Sequence, residues 1–561
     1  MYSNKTNIQQ LISLLRAHGV KNVVVCPGSR NAPIIHSISC CDDFECHSIT
    51  DERSAAFFAI GLALSDGNPV VVCCTSGTAL LNMYPAVAEA YYQKVPLIIL
   101  SADRPIAWIG QMDGQTLPQA NVFGSLVKLS VNLPEVRTEE DKWYCNRLIN
   151  QAILETNHRG KGPVHINMPL AEPLFNFEST TLPDERVITR YQGLSFYNND
   201  YRVLIDKLNT YKKRMVVVGQ SSIIYEFDKR ASRQLANSFV WLAENLSNGA
   251  TPTDPIYNFD SAIERMNDEE KEKLRPELLI TYGGHIISKR LKQYIRKYPP
   301  VEHWHITEDG DIIDLYGSLT SVVEINPFEF MEHISGIIDN KNSDYNNAWN
   351  ELCANTPAPD FNYSGMQAVG RLLSSLSTDS VLHLANSSAV RYAQLYKIPY
   401  ATEVLCNRGT NGIEGSLSTA IGYALKSSKP NYLVIGDLSF FYDVNVLWNS
   451  ITDNLDIRIL LINNGGGGIF HTLSDLKMTG KSNKLITAVH ESNAKNIVES
   501  RGFDYHQVKN ERELKAAIAE LTSTTRSKKP IVVEVITNKN KEARMLKEYY
   551  NKIKQQEDYG N

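Results

Sequence analysis

Short apolar runs that alternate with helical patterns constrain the fold of this chain more than any other feature. In the first third, the runs 21–26, 69–74 and 95–101 each have the length and the valine, isoleucine and leucine content of a buried strand. Each run ends in a polar turn, and helical patterns lie between the runs. Strands that alternate with helices predict a parallel sheet with right-handed crossovers. We therefore expect an α/β domain whose ligands bind where the strands end.

The same alternation returns twice along the chain. Two segments rich in proline and polar residues, 168–186 and 355–365, predict linkers between the stretches that alternate. A chain of 561 residues is also too long for a single hydrophobic core. We predict the α/β class, with three doubly wound parallel-sheet domains at residues 1–180, 190–350 and 360–561.

Charge and hydropathy exclude several classes of function. The net charge of −5 gives no overall attraction to nucleic acid or to an anionic membrane, so local basic groups must hold any anionic ligand. The sequence has no apolar stretch long enough to cross a bilayer, and its N-terminal segment predicts an amphipathic helix instead of a signal peptide. The nine cysteines form no CxxC pair, which favours reduced thiols. We expect a cytoplasmic protein without nucleic-acid or membrane partners, and a solvated helix after Thr537.

The strongest chemical signal lies in the last third, at the ends of two predicted strands. YLVIGD ends at Asp437, and Asn464 follows Asp437 by 27 residues, at the end of the next apolar run. Because one strand–helix–strand crossover brings both strand ends to the same edge of a sheet, Asp437 and Asn464 can meet there. Carboxylate, amide and backbone carbonyl oxygens suit Mg²⁺, and the glycines 465–468 let the backbone approach a diphosphate. The sequence therefore predicts a metal–diphosphate site.

Other interpretations apply to the same features taken singly. Asp437 alone could be a helix cap, and the glycine run alone could be a flexible turn. Their combination at crossover spacing favours the metal–diphosphate site. A P-loop at 479–482 is disfavoured, because Asp475 stands where its first glycine belongs and no strand precedes it.

The GD…NN pattern resembles the thiamine-diphosphate signature of the decarboxylase and carboligase superfamily. The resemblance implies thiamine diphosphate and Mg²⁺ as cofactors, with Mn²⁺ as an alternative metal. It implies Asp437, Asn464 and the Gly466 carbonyl as metal ligands. It also implies pyrimidine-binding, middle and diphosphate-binding domains in that order, with active sites between subunits of a homo-oligomer, a dimer or a tetramer. The other cofactor-binding positions that it implies are Thr75, Gly77, Ile413, Gly436, Leu438, Ser439, Gly467 and Ile469.

The superfamily needs one glutamate near the end of the second strand of its first domain, and Glu52 matches that position. A proton-bearing carboxyl there can hydrogen-bond the aminopyrimidine ring nitrogen and promote the imino tautomer, whose nitrogen takes the proton from the thiazolium carbon. The alternative for Glu52 is an acid that begins a helix because the helix dipole favours it. The second motif, far along the chain, favours the catalytic role.

Basic residues near predicted strand ends distinguish among members of this superfamily. Guanidinium forks bind carboxylates with two parallel hydrogen bonds, so a set of them favours substrates with several carboxylates over pyruvate alone. Each of these residues taken singly could equally be a surface charge. The set is Arg30, Arg104, Lys289, Arg290, Arg391 and Arg408.

Longer motifs in all three domains, such as SADRP and CNRGTNGIEG, resemble the 2-succinyl-5-enolpyruvyl-6-hydroxy-3-cyclohexene-1-carboxylate synthases of menaquinone biosynthesis. The resemblance implies a transferase that decarboxylates 2-oxoglutarate on the cofactor and adds the succinyl carbanion to isochorismate in a Stetter-like conjugate addition. Ile413 would then hold the cofactor in its bent form. The substrate side would comprise the six basic residues with Ser29, Gln115, Ser387, Ile469 and Phe470. Within it, Arg391 and Ser387 are assigned to the succinyl carboxylate, and Arg30, Arg104, Lys289 and Arg290 mainly to isochorismate.

Three alternatives remain open from the sequence. The first is another enzyme of the superfamily, such as an acetolactate synthase or a 2-oxo acid decarboxylase, against which the basic residues argue. The second is a catalytically silent regulatory subunit, against which the retention of Glu52, Asp437 and Asn464 together argues. The third is an unrelated nucleotide-binding protein, which the absence of a GxGxxG motif disfavours.

Overall fold

The computed structural model describes residues 1–190, 204, 206–252, 255–339, 342–399, 402–472, 480–525 and 529–555. In these residues every strand belongs to one of three sheets, and all strand pairs within the sheets are parallel. Helices lie between most consecutive strands of each sheet. The predicted α/β class with three doubly wound parallel sheets is confirmed. None of the helices in the described ranges is both long enough and apolar enough to span a bilayer.

The first sheet is built from the first 170 residues. Its strands are β1 (Asn22–Val25), β2 (Glu45–Ser48), β3 (Val70–Cys74), β4 (Leu97–Asp103), β5 (Leu129–Asn132) and β6 (Val164–Pro169). Its helices are α1 (Thr6–Ala17), α2 (Ala32–Ser39), α3 (Glu52–Asp66), α4 (Thr78–Asn82), α5 (Tyr84–Gln93) and α6 (Glu139–Glu155). The strand order is β2-β1-β3-β4-β6-β5. Strands β1, β3 and β4 are buried along their whole length, since helices cover both faces, and this explains their continuous apolar runs.

The second sheet has five strands in the middle of the chain. They are β7 (Arg214–Val218), β8 (Val240–Ala243), β9 (Leu278–Tyr282), β10 (Glu302–Thr307) and β11 (Ser321–Glu324). The helices of this part are α7 (Lys229–Ser238), α8 (Phe259–Arg265), α9 (Asp268–Lys273), α10 (Lys289–Lys297), α11 (Pro327–Ser335) and α12 (Ser343–Ala354). The strand order is β11-β10-β9-β7-β8, which places the change of direction between β7 and β9.

The third sheet has six strands. They are β12 (Val381–Leu384), β13 (Glu403–Leu405), β14 (Asn431–Gly436), β15 (Ile457–Asn463), β16 (Asp504–Val508) and β17 (Ile531–Ile536). The helices are α13 (Gly365–Ser375), α14 (Ser388–Ala393), α15 (Ser416–Lys426), α16 (Asp437–Tyr442), α17 (Gly480–Ile486), α18 (Lys495–Glu499), α19 (Glu511–Leu521) and α20 (Lys539–Gln555). The order β13-β12-β14-β15-β17-β16 repeats that of the first sheet, strand for strand.

Topological switch points in the first and third sheets decide where ligands can bind. In each, the chain changes direction between the first and third strands, β1 and β3 or β12 and β14, and the crevice beyond their carboxyl ends is the usual ligand site. All strands of a sheet lie within one predicted domain range, but the domain boundaries themselves stay a prediction.

Helices α3 and α15 join the first domain to the third at very short range. A Cβ added to Gly61 would clash with the Thr419 carbonyl, and one added to Gly422 would clash with the Phe58 carbonyl. The Thr419 hydroxyl also donates a hydrogen bond to the Phe57 carbonyl at 3.2 Å. One apolar core therefore continues from the first sheet to the third, and the orientation of α3 is fixed by the third domain.

The charged tail forms a helix, as predicted, but the prediction that this helix is solvated is wrong. In α20, Glu542, Tyr549 and Ile553 are buried, and the Tyr549 ring lies 5.4 Å from that of Phe361, centroid to centroid. The helix is charged on one side and apolar on the other, so a segment with many charges can still pack against the third domain.

We predict that Gly422→Ala destabilises the protein, because the new methyl group meets backbone that cannot move away. Overpacking of this kind costs about 1–3 kcal/mol. Each kcal/mol lowers Tm by about 2–4 °C in a domain of about 150–250 residues. The measurement is thermal unfolding followed by circular dichroism.

Gly336→Ala is the matched control, since Gly336 has a helical backbone and an added Cβ would meet only the His333 carbonyl, at 3.7 Å. We expect an unchanged or slightly raised Tm for this variant. Equal Tm values for the two variants would contradict the tight crossing of α3 and α15.

Candidate active site

The carboxylate of Asp437, at the end of β14, forms hydrogen bonds with the backbone that follows β15. Asp437 is 3% exposed and begins α16. Its Oδ2 accepts hydrogen bonds from the backbone N–H groups of Asn464, Gly465 and Gly466 at 3.1, 2.8 and 3.0 Å. Its Oδ1 accepts one from Leu438 N at 2.7 Å. The structure thus brings together Asp437 and Asn464, which the crossover spacing predicted to meet.

Asn464 presents an oxygen that has no hydrogen-bond partner within the described part of the chain. Its Nδ2 donates to Glu542 Oε2 at 3.2 Å, and its buried Oδ1 is left unpartnered. A buried hydrogen-bond acceptor without a partner lowers the free energy of unfolding by about 1–3 kcal/mol, and a bound cation would offset this loss. Gly466 lies beside it with a φ of +137°, and an added Cβ there would clash with the Thr487 carbonyl. A carboxylate, an amide oxygen and a glycine carbonyl fit the hard oxygen set that Mg²⁺ prefers.

The other cofactor positions of the third domain surround this loop. A Cβ added to Gly436 would meet nothing within 4 Å, so space is open beside the end of β14. The Ser439 hydroxyl donates to the Ile413 carbonyl at 2.5 Å, which ties the loop of Ile413 to α16. Gly467 N donates to the Thr487 carbonyl at 2.7 Å. Three apolar side chains of the prediction are half-buried here, namely Leu438, Ile469 and Phe470.

His490 is a residue of this site that the sequence reasoning missed. Its Nε2 lies 3.2 Å from Asp437 Oδ2, and its Nδ1 accepts a hydrogen bond from Ser492 N at 3.1 Å. Its ring meets that of Phe441 edge-on at 5.5 Å between centroids. His490 follows α17 in an irregular segment, so no motif or fixed spacing in the sequence indicated it.

Glu52 lies at the edge of the first sheet, as the first residue of α3. It is half-buried, and its Oε2 accepts a hydrogen bond from Asn82 Nδ2 at 3.0 Å. The helix cap is Asp51 instead, whose carboxylate accepts from Arg53 N at 2.9 Å and Ser54 N at 3.2 Å. Asp51 therefore caps α3, and Glu52 lies in the first turn of the helix, where the helix dipole favours an acid.

The turn after β3 carries the predicted Thr75 and Gly77. The buried Thr75 hydroxyl has no hydrogen-bond partner within the described ranges. Gly77 has a φ of +85° and donates from its N–H to Gln119 Oε1 at 2.7 Å. A Cβ on Gly77 would lie 3.2 Å from the backbone of Gln115, so these two predicted residues are neighbours. Gln119, which also donates to Asn167 Oδ1 at 2.9 Å, was missed by the sequence reasoning.

Two of the predicted basic residues lie together at this edge. Arg30 is buried, donates from Nη1 to the Leu170 carbonyl at 2.9 Å, and lies 3.1 Å from Glu172. Arg104 donates from Nε to the Gly114 carbonyl at 2.7 Å. Burial lowers the pKa of Arg30, and the positive charge of Arg104 lowers it further. The carboxylates of Glu172 and Asp113, each 3.1 Å from one of the two arginines, raise the pKa of Arg30 in turn. Ser29 lies exposed in the same turn.

Arg391 and Arg408 form a second basic pair, at the ends of β12 and β13. Arg408 is 6% exposed and donates from Nη1 to Asn386 Oδ1 at 2.8 Å, while its buried Nε has no partner in the described residues. Arg391 donates from Nη1 to the Ser387 carbonyl at 2.7 Å. Ser387 has a φ of +70°, an unusual value for a residue with a side chain. Burial lowers the pKa of Arg391, and the charge of Arg408 lowers it further.

The structure does not bring Arg290 together with this pair. Its guanidinium forms ion pairs with Asp260, at 2.8 Å, and with Glu264, and it stacks over the Tyr550 ring at 3.9 Å. Lys289, at the start of α10, is exposed. The prediction of Arg290 as a substrate ligand came from the SKRL motif, which shows the residue type but not which face of α10 it occupies.

Lys292 is the basic residue of α10 that lies towards the pair of Arg391 and Arg408. Its Nζ donates to the Ile286 carbonyl at 2.7 Å. Burial lowers the pKa of Lys292, and the positive charges of Arg408 and Arg391 are among the further causes that lower it. Residues two apart on a helix face different sides, so Arg290 and Lys292 leave α10 in different directions.

Glu89 of α5 holds the loop that connects Arg408 to Ile413. Its buried carboxylate accepts hydrogen bonds from the N–H groups of Gly409 and Thr410, both at 2.7 Å, and from the Thr410 hydroxyl at 2.9 Å. A residue of the first domain therefore fixes a loop of the third. The sequence did not indicate this contact, which joins residues 320 positions apart.

The two candidate half-sites make no direct hydrogen bond or ion pair with each other in the described part of the chain. Across the residues that the structure describes, no hydrogen bond or ion pair links Glu52 to Asp437, Asn464 or Gly466. The residue after Glu52 instead contacts the far end of α16, where Arg53 Nη2 donates to the Tyr442 carbonyl at 2.7 Å.

Comparisons with known proteins agree with this geometry. The model of the thiamine pyrophosphate enzyme N-terminal TPP binding domain matches residues 6–123, and that of the C-terminal TPP binding domain matches 386–535. Three similar proteins are named 2-succinyl-5-enolpyruvyl-6-hydroxy-3-cyclohexene-1-carboxylate synthase. Those of Bacteroides thetaiotaomicron and Phocaeicola vulgatus are 59% and 58% identical and cover 99% of this chain and 100% and 99% of their own. That of Flavobacterium johnsoniae is 36% identical, covering 97% of this chain and 98% of its own.

These matches confirm the resemblance and the thiamine diphosphate cofactor that the motifs predict, and they contradict the alternative of an unrelated nucleotide-binding protein. The chain belongs to the family of 2-succinyl-5-enolpyruvyl-6-hydroxy-3-cyclohexene-1-carboxylate synthases, among the thiamine pyrophosphate enzymes.

Proposed function

We propose that this protein is a transferase of menaquinone biosynthesis that decarboxylates 2-oxoglutarate and adds the remaining four-carbon unit to isochorismate. The product is 2-succinyl-5-enolpyruvyl-6-hydroxy-3-cyclohexene-1-carboxylate, and CO₂ is released. The observation that carries this proposal is at the edge of the third sheet, where oxygen ligands suited to a metal lie in the same domain as the half-buried Arg391 and the buried Arg408. Neither arginine has a carboxylate partner among the described residues, so a carboxylate substrate can supply one.

Asp437, Asn464 and the Gly466 carbonyl would hold Mg²⁺, or Mn²⁺, against the diphosphate of the cofactor. Bound thiamine diphosphate would supply the acidic thiazolium carbon and the electron sink for decarboxylation. Ile413 would support the bent cofactor, and Ile469 and Phe470 would keep water from the reacting carbon. The remaining positions that we propose against the cofactor are Thr75, Gly77, Gly436, Leu438, Ser439 and Gly467.

Glu52 would hold a proton at its carboxyl against the aminopyrimidine ring nitrogen. Its place at the start of α3 supports this role, since α3 is fixed by its tight crossing with α15 and its cap is supplied by Asp51. A rigidly held acid keeps its geometry through turnover, which proton transfer requires.

The basic residues divide between the two substrates. Arg391 and the Ser387 turn would bind the distal carboxylate of 2-oxoglutarate. Arg30 and Arg104, with Ser29, Gln115 and Lys289, would bind isochorismate, which carries two carboxylates. Arg290, which pairs with Asp260 and Glu264 in this structure, stays a prediction on the isochorismate side. We add Lys292, which lies towards Arg391 and Arg408, to the substrate side.

A second copy of the chain would complete each active site. One observation supports this proposal besides the resemblance: large apolar side chains near α3 are exposed. Tyr442 is 51% exposed and Trp448 is 52% exposed, and apolar patches of this kind are typical of subunit interfaces. We propose a homodimer as the smallest active unit, located in the cytoplasm as the sequence predicts.

Glu52→Gln is expected to keep cofactor affinity and to lose about 10²–10⁴-fold in turnover, because an amide cannot hold the proton. The measurement is isochorismate consumption with 2-oxoglutarate, thiamine diphosphate and Mg²⁺, each omitted in turn. Glu140→Gln, at an exposed position of α6, is the matched control and should retain full activity. Full activity in Glu52→Gln would remove Glu52 from the mechanism.

The variants Arg391→Met and Arg104→Met should show which of the two substrates each arginine binds. Loss of one hydrogen bond to a charged group costs about 1.5–3 kcal/mol, or roughly 10–100-fold in KM. We expect Arg391→Met to raise the KM for 2-oxoglutarate and Arg104→Met to raise that for isochorismate, as initial rates with one substrate varied would measure. The opposite pattern, or equal effects on both constants, would overturn the assignment.

A further inference from the structure

The first turn of α20 lies against the metal loop, although no part of the thiamine-diphosphate signature includes it. Two side chains three residues apart make the contact. Lys539 Nζ donates to the Gly465 carbonyl at 2.6 Å, and Glu542 Oε2 accepts from Asn464 Nδ2 at 3.2 Å. The segment that composition marked as a charged tail therefore contacts two successive residues of the candidate metal site.

Glu542 is held firmly in this position. It is 2% exposed, and its carboxylate also accepts hydrogen bonds from Gly365 N at 2.6 Å and from the Tyr392 hydroxyl at 3.3 Å. A Cβ added to Gly365 would lie 2.7 Å from Glu542 Oε1, so the start of α13 closes over the carboxylate. Three donors from three segments thus converge on one buried acid.

The chemistry of the contact decides which way the Asn464 side chain faces. Glu542 accepts hydrogen bonds from Gly365 N and the Tyr392 hydroxyl, and towards Asn464 it likewise accepts, so it engages the NH₂ end of the amide. The amide oxygen is then turned away from Glu542, and it is the buried oxygen that has no partner in the described residues. A rotation of the amide by 180° would set two acceptors against each other and present an NH₂ group to a cation.

We propose that Glu542 is the positioning residue that orients Asn464 as a metal ligand, while Lys539 holds the neighbouring Gly465 carbonyl. The inference rests on the proposed function, because it assumes that Asn464 binds the metal. A residue that hydrogen-bonds a metal ligand without contacting the metal can fix the orientation of that ligand before the metal binds.

The test is the Mg²⁺ affinity of the full-length Glu542→Gln variant. Metal-free protein with saturating thiamine diphosphate is titrated with Mg²⁺, and binding is followed by intrinsic tryptophan fluorescence and by calorimetry. A glutamine can donate to the Asn464 oxygen and so stabilise the wrong orientation. We expect Kd for Mg²⁺ to rise about 10–100-fold. The control is Glu548→Gln, at an exposed position of the same helix, which should bind Mg²⁺ as the unaltered protein does.

A double variant distinguishes an effect on the orientation of the Asn464 side chain from an effect on the stability of the fold. When Asn464→Asp is combined with Glu542→Gln, either oxygen of the introduced carboxylate can bind the metal, so no orientation needs to be selected. The glutamine NH₂ can donate to the other oxygen. We expect this double variant to recover most of the Mg²⁺ affinity that Glu542→Gln alone loses. A lower Tm in Glu542→Gln, with no rescue in the double variant, would assign Glu542 a structural role only.

Two further results would overturn the inference, and they are distinct. If Glu542→Gln binds Mg²⁺ with the Kd of the unaltered protein, Glu542 does not orient the ligand and the proposed function stands. If the unaltered protein itself shows no Mg²⁺-dependent binding of thiamine diphosphate, the metal site fails, and the inference fails with it.

Discussion

The close crossing of α3 and α15 is the constraint on which the rest of the architecture depends. Glycines at Gly61 and Gly422 let each helix touch the backbone of the other, so the first and third sheets share one apolar core. Because α3 begins at Glu52 and α15 follows the loop of Arg408 and Ile413, the crossing fixes candidate catalytic and substrate residues in one rigid unit. Glu89 reinforces it from α5 with three hydrogen bonds to the same loop.

At the edge of the third sheet, backbone geometry and burial prepare a site for a cation. The buried Asp437 carboxylate collects three N–H groups of the glycine loop, and this fixes where the Asn464 and Gly466 oxygens lie. Glu542 and Lys539 support the loop from outside. Ligands held in this way lose little conformational freedom when a metal binds, so the protein bears the ordering cost during folding.

Local patterns predicted the parts of this structure that local physics determines. Buried parallel strands need continuous apolar runs, so all three sheets followed from the sequence, and the spacing of Asp437 and Asn464 implied that they meet. Contacts between distant segments left no local signal, and Glu89, His490 and Glu542 were missed for that reason. Arg290 stays a prediction: the motif gave the residue type, and in this structure its guanidinium contacts Asp260, Glu264 and Tyr550, which no local pattern indicated.

The identical strand order of the first and third sheets has a consequence for symmetry. Helices α3 and α15 hold the same place in the two domains, since each connects the second strand of its sheet along the chain to the third. Their contacts are reciprocal: Gly61 faces the Thr419 carbonyl and Gly422 faces the Phe58 carbonyl, and each carbonyl belongs to the residue three positions before the glycine of its own helix. The crossing is therefore pseudo-twofold, and a single chain already has at its centre the kind of symmetric contact that two identical subunits make.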